Sequence, residues 1–579
     1  MRQSIRMRIM KLLSLIAVIS FIIGTCSFAS CQSADLVVYG KIFTSEDNRL
    51  AEAFAVKDGK YIYVGDRKGA KAFVENGRTE VLDYTGKGLV MPGCGNGHAH
   101  YSMGYATQSV GTIVSRDATV DEFLTEIMPA AVRKAKADGA TSIFGFGWNT
   151  LTFPKDMPAR QQLDAICSDI PMYIADEEGH KGLANTLLLV KAGIMKEDGT
   201  VLRKEIRGGE IVMGPDGTPT GYLSEQAGTY VRSFLDNENL YPIAIAKENM
   251  AQLQEQILSE GYTMYLDGWG NYFYSDILYQ AAQQMDKAGD LHFVLGMTYE
   301  IESWMDVEKA LTKASEARKY ASRHVKPNWI KLFMDGTVES GTGFVEPLYP
   351  DGHQGTANWT EEELTDMTRT ANANGVTMHV HVMGNKGVTR VVNAFVNGGK
   401  DEMRNTLVHV YHADSSDYPR MAAHNIQVTE GMIWHHAEDS LQVQLAEFLP
   451  EGLKDKGYPM KSYIDNGVNV SLHSDFPALA GSPDDPFGIM EIAVTGVLQS
   501  ENGTPWWTEE LVTREQALTA LTINCAKQMF IEEERGSIRT GKYADFLLVD
   551  KDVLTCPVKE IHTARPEATY FEGKKVFSR

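Results

Sequence analysis

Met91-Pro92-Gly93-Cys94-Gly95-Asn96-Gly97-His98-Ala99-His100 is the stretch on which the reading of this chain turns. The apolar run at 88–92 reads as a strand, and the two histidines follow it. Residues two apart in an extended segment share a face, so His98 and His100 can hold one ion from the same side. One such pair is only a suggestive spacing. What lies downstream gives it weight.

From there to about residue 535 the chain alternates apolar strands with helical patterns, the signature of βαβ units. Strand candidates fall at 88–92, 262–267, 292–298, 329–334, 376–381, 406–410, 427–429 and 468–473, with helix-like stretches between most of them, such as 244–260 and 360–373. Eight parallel strands imply an α/β fold of the TIM type, a (β/α)8 barrel. About 170 residues separate the first candidate from the second, far more than a crossover needs, so 110–240 is read as a subdomain inserted over the barrel mouth. Short strand patterns at 35–90 and again at 536–579 predict one small β-sandwich domain built from both ends, with 91–535 forming the barrel and its insertion.

In such a barrel the strand ends point to one face, where catalytic groups gather. There the sequence places Lys331 in strand four, and His379 and His381 at the end of strand five. His409 lies in strand six with His412 just beyond, and His473 and Asp475 end strand eight. Any one of these histidines is more often structural, but together and in this order they point to a metal centre. Neutral imidazoles with a carboxylate suit a divalent ion such as zinc, which brings the pKa of a bound water near neutrality.

The opening stretch resembles the metal-binding motif that begins the amidohydrolase barrel. More narrowly, the chain resembles the YtcJ-like, amidohydrolase-3 branch. The matching pieces include Gly145-Phe146-Gly147-Trp148-Asn149, Glu178-Gly179-His180, Asp216-Gly217-Thr218-Pro219-Thr220-Gly221 and Lys331-Leu332-Phe333-Met334-Asp335-Gly336. Others are His381-Val382-Met383-Gly384-Asn385, Ser474-Asp475-Phe476-Pro477 and Gly536-Ser537-Ile538, the last followed by Gly541-Lys542-Tyr543-Ala544-Asp545. The resemblance runs from about residue 35 to the end.

It implies that His98 and His100 bind one metal ion and that His381 and His409 bind a second. Asp475 is implied to bind the first ion and to serve as catalytic general base and acid. Lys331 matches a lysine that carries a carbon dioxide adduct bridging two ions; the alternative is a neutral or salt-bridged lysine in a one-ion site. His412 remains the alternative to His409, because Val408 stands where relatives carry Glu. His379 is expected beside a ligand rather than on the ion, and Asn96 is expected to orient a ligand imidazole. His180 and Trp148 are expected to contact a small-molecule substrate, with Tyr101 and Trp269 helping to shape an apolar pocket.

The activity expected is hydrolysis of an amide-type C–N bond, in an N-acyl or N-substituted amide. The alternatives are deamination, opening of a cyclic amide or lactone, or a non-catalytic ligand-binding lipoprotein. A net charge of −21 argues against nucleic acid as a partner, since phosphates would be repelled. Residues 1–11 are basic and Leu12 to Ile23 is nearly all apolar, the pattern of a signal peptide within 1–30. Phe28-Ala29-Ser30-Cys31 resembles a bacterial lipobox, which predicts export and a lipid anchor on Cys31; ordinary secretion is the alternative. Cys94, Cys167, Cys525 and Cys556 have no CxxC spacing and read as isolated thiols. A homo-oligomer stays open.

Overall fold

The computed structural model describes residues 33–579 except 48, 102–104, 107–108, 110, 116, 149–158, 177–178, 180, 270–274, 339–340, 436–448, 455–456, 478–483, 498–504 and 506. The expected leader, Cys31 and His180 lie outside the described residues. Among those described, no helix is long and apolar enough to cross a membrane.

The described strands form three sheets. The central one is a parallel barrel in chain order: β1 (Cys94–Ala99), β2 (Tyr262–Asp267), β3 (Val294–Glu300), β4 (Val325–Phe333), β5 (Thr377–Val382), β6 (Thr406–His409), β7 (Gln427–Glu430) and β8 (Val470–Leu472). β1, β2, β5, β6, β7 and β8 are buried at every position. That is the mark of parallel strands packed on both faces. The helices between them begin and end where local chemistry directs. Glu361–Ala373 starts at Thr360, which forms a capping box with Glu363. Ile243–Glu260 stops at Gly261, whose φ of 98° suits glycine alone.

Strand one differs from the expectation. The run at 88–92 belongs to the composite sheet, where Leu89–Pro92 pairs antiparallel with Phe546–Val549. The barrel begins instead at Cys94–Ala99, a strand of small residues. Its glycines are required by packing. A Cβ on Gly95 would stand 2.5 Å from the Cys525 side chain, and one on Gly97 would stand 2.4 Å from Thr429 Oγ1. Beneath this floor the helix Ile523–Gln528 closes the barrel. Cys525 and Ala526 pack with Met264, Leu266, Val294 and Trp329, and Gln528 Nε2 donates to the Gly97 carbonyl at 2.9 Å.

The composite sheet runs from Lys574–Ser578 through Pro566–Phe571, Phe546–Val549, Leu89–Pro92, Leu36–Phe43 and Leu50–Lys57 to Lys60–Gly65, with Glu80–Asp83 beside Leu36–Phe43. Both chain ends therefore build one layer. It curls so that Phe54 and Phe546, three strands apart, meet edge to face at 5.0 Å.

The third sheet, spanning Thr112–Ile113 to Pro219–Glu225, lies between β1 and β2 in sequence. It docks at the C-terminal ends of the barrel strands. Ser303, just past β3, donates Oγ to the Arg207 carbonyl at 3.1 Å, and Arg207 pairs with Glu363 at 2.7 Å.

Candidate metal centre

The barrel closes at the lip that carries the site. β8 and β1 share no ladder, but the Asp475 N–H donates to the His98 carbonyl at 3.1 Å and the His100 N–H donates to the Phe476 carbonyl at 2.7 Å. Asn96 braces the same seam. Its Nδ2 donates to Ser474 Oγ at 2.7 Å and to Asp484 Oδ1 at 3.1 Å, while its Oδ1 accepts from the His98 and Ser474 backbone N–H groups, both at 3.3 Å. Asn96 thus sets backbone, where the sequence suggested that it orients a ligand imidazole. Two site residues sit at left-handed φ, His409 at 73° and Asp475 at 55°. Non-glycine residues pay for that conformation, and it persists where the surroundings over-determine it.

His98, His409 and Asp475 bring ligand atoms within 4.8 Å of one another, all three buried. Asp475 Oδ1 lies 2.6 Å from His100 Nε2 and 3.2 Å from His98 Nε2. Lys331 Nζ lies 3.3 Å from His98 Nε2 and over the Phe333 ring at 4.4 Å. The His381 ring stands 4.6 Å from that of His409, and His381 Nε2 lies 3.1 Å from the Gly336 carbonyl. His379 shares a 2.7 Å hydrogen bond with His98 Nδ1, which fixes the ring that faces the cluster. Room for His98 comes from Gly268, where a Cβ would fall 1.8 Å from Nδ1.

Electrostatics make this cluster a set of lone pairs. Burial, then the Lys331 ammonium, hold His98 and His379 well below the usual imidazole range. Burial and the neighbouring His381 do the same to His409, and burial takes His381 and His473 down to about 3. Burial alone would raise the Asp475 carboxyl, but the field and hydrogen bond of His100, with His473 and Lys331, carry it below its ordinary value. Burial lowers Lys331 to about 8 against the pull of Asp475, Glu300, Glu302 and Asp267. Neutral imidazoles beside an ionised carboxylate are the donor set of a divalent transition ion. Both nitrogens of the fully buried His473 lack a hydrogen-bond partner among the described residues. The residues present fit a metal.

The structure therefore brings together His98, His100, Lys331, His381, His409 and Asp475. His412 goes elsewhere: its ring packs on Tyr411 at 4.4 Å, next to Tyr458 and Trp507. Trp148 is a correction. It is fully buried in the core of the inserted sheet, packed on Tyr222, with its indole N–H donating to the Ile174 carbonyl at 2.9 Å. The alternation within its strand turns the ring into that core. Partly exposed rings at the centre belong instead to Trp269 (5.1 Å from His100), Phe333 (5.0 Å from His381) and Trp434 (5.5 Å from His409). The roles of His473, Gly268 and Trp434 escaped the sequence reading. For His473 a signal existed, since His473-x-Asp475 repeats the spacing of His98-x-His100. Two open grooves of about 510 and 420 Å³ lie at the opposite end of the barrel, around Lys527 and Asn469, and are lined by none of these groups.

The amidohydrolase family, in its amidohydrolase-3 group, matches residues 80–577. Protein LONG AFTER FAR-RED 3 of Arabidopsis thaliana is 24% identical over 94% of this chain and 91% of its own length. An N-substituted formamide deformylase of Arthrobacter pascens is 27% identical over 95% of this chain and 99% of its own. A crystal structure of an uncharacterised metal-dependent hydrolase from Pyrococcus horikoshii shares the fold, with a TM-score of 0.68 and 19% identity over 90% of this chain and 99% of that one. With a TIM-type barrel, an added sheet domain and this lone-pair cluster at the strand ends, the chain belongs to the amidohydrolase family of metal-dependent hydrolases.

Proposed function

We propose that the chain hydrolyses the C–N bond of an amide whose nitrogen or acyl carbon bears an apolar substituent. The observation that carries this reading is the set of partly exposed rings, Trp269, Phe333 and Trp434, standing against three of the histidines that surround Asp475. Apolar rings around a few converging polar groups favour an uncharged substituent and exclude water from the reacting bond. The near-full-length likeness to a formamide deformylase supports the same bond type.

His98, His100, His381, His409 and Asp475 would hold the metal, with Lys331 between them. A divalent ion there, zinc in this reading, supplies Lewis acidity that acidifies water and polarises the amide carbonyl. The remaining work falls to the chain. Asp475, kept ionised beside His100, accepts the proton of the attacking water and returns it to the departing nitrogen. His379 keeps the His98 ring in place through their shared hydrogen bond. Lys331 would enter as a carbamate: its ammonium, eased by burial, would give up one proton, and the neutral amine would add carbon dioxide and release a second, leaving an anion where a buried cation stood.

The test is a panel of N-substituted formamides and N-acyl amines given to the zinc-loaded protein, with released amine and ammonia measured separately. Amine release that favours aryl and alkyl substituents is expected. Ammonia as the nitrogen product would replace this reading by deamination.

A further inference from the structure

We propose that His473 is itself a ligand of the metal centre, alongside His409. The inference deepens the metal-centre reading above and rests on it. His473 lies one residue past β8, two residues after Ser471, and its ring contacts place it among the imidazoles of the barrel mouth. Its ring stands 5.0 Å from His409 and 5.3 Å from His98, edge to face in both cases. It is 0% exposed, and neither ring nitrogen finds a hydrogen-bond partner among the described residues.

A buried polar ring left unsatisfied costs free energy that a phenylalanine or leucine of similar size would avoid. The surroundings are nonetheless cut to admit this ring. Just past β7 stands Gly431, where a Cβ would meet the Trp434 ring at 2.6 Å and His473 Cε1 at 2.8 Å. The His473 backbone N–H is tied to the Glu430 carbonyl at 3.1 Å, which fixes where the side chain starts. Hydrogen-bonding explains His379, which meets His98 at 2.7 Å, but nothing comparable occupies His473. An imidazole buried, unsatisfied and among ligand histidines is a lone pair kept for a cation.

The test reads metal, not turnover. Zinc affinity and stoichiometry are measured by chelator competition on the wild-type chain and on His473→Ala, and absorption spectra are recorded for cobalt-loaded wild type and His473→Cys. Loss of a ligand is expected to weaken at least one zinc equivalent by about ten-fold or more. The cysteine variant is expected to gain a thiolate-to-cobalt charge-transfer band. Unchanged zinc binding in His473→Ala, or a folded, cobalt-loaded His473→Cys without that band, overturns the proposal. Should both variants fail to fold, a zinc-loaded crystal structure of the unaltered chain decides. A His473 nitrogen about 2.0–2.1 Å from zinc supports it, and one turned away from the ion overturns it. A wild-type chain that binds no metal would sink the centre as a whole, whereas metal bound normally without His473 sinks this inference alone.

Discussion

Where the composite sheet meets the barrel, Arg535 donates to Asp545 at 2.5 Å and also to Glu572. Glu572 lies 3.0 Å from His324, which lies 2.7 Å from Asp286 in turn. Cations and carboxylates alternate there. At the mouth of the same barrel a second buried polar cluster gathers imidazoles, each with a ring-nitrogen lone pair, and the Asp475 carboxylate, with Lys331 as the only Lys or Arg among them in the described residues. The first cluster closes on itself and joins two layers. The second is left in surplus of lone pairs and is completed by something the chain does not encode. Burial of charge is common to both, so burial alone distinguishes neither. The balance of donors to acceptors is what separates a structural joint from a site.

The sharpest way to break this comparison is Asp475→Asn. It removes the proposed proton acceptor while keeping shape, so the rate of amine release should fall about 10²–10⁴-fold. The melting temperature of the metal-free protein should barely move. A parallel loss of stability and rate, seen in thermal melts beside steady-state assays, would make Asp475 a structural residue like Asp545.

Arg535→Ala attacks the other cluster. It leaves the buried Asp545 without its cation, which typically costs about 3–5 kcal/mol, while the half-buried Glu572 keeps His324 and Arg323. Urea unfolding should show that loss, while the folded fraction keeps its metal content and KM. Loss of metal from the folded protein would mean that the joint also positions the site.

These two clusters were unequally legible in the sequence. The cluster at the barrel mouth announced itself because ligand chemistry uses few residue types and barrel topology puts them at strand ends. His98, His100, Lys331, His381 and Asp475 could be named from spacing and family likeness together. The choice of His409 over His412 needed the ring positions, since a strand end can turn either residue inward. Strand β1 was misplaced because Cys94–Ala99 has no apolar signature: the barrel interior there is filled by Cys525, Thr429 and Ser471 reaching in from elsewhere, so glycine is what fits. The neighbouring run at 88–92 looked more like a strand and is one, but in the other sheet. Trp148 stood in a family-like motif, and only the packing of the inserted sheet shows that its ring faces a core. The joint was invisible, because Asp286 and Glu572 are separated by nearly the whole barrel and no local pattern marks an ion pair.

Chelation tests the surplus directly. A metal present at 100–1,000 times its Kd stabilises the folded state by about 2.7–4.1 kcal/mol. Stripping it should lower the unfolding free energy by about that amount. The same loss should appear on top of that of Arg535→Ala, since clusters with no shared partner add. Strong non-additivity in the double perturbation would show that the two clusters are coupled through the barrel wall.

The smallest effect, and the finest test, is the pH dependence of the joint. Burial opposes ionisation of Asp286 and Glu572, but hydrogen bonds from His324, and for Glu572 the Arg535 charge, bring both down to about 2. Their contribution is therefore present above the unfolded carboxylate values of about 4 and is lost as pH falls toward 2. His324 runs the other way. Burial would lower it, yet Asp286 and Glu572 raise it, so its contribution is complete below about 6.5 and disappears as pH climbs through the raised value. The joint should thus be strongest between about pH 4.5 and 6.5. Measured as the stability difference between wild type and His324→Gln in the metal-free protein, the gap should peak in that window and narrow on both sides. A His324→Gln gap that instead widens steadily with pH would place the charge on the wrong partners and undo the account of the joint as a self-neutralised network.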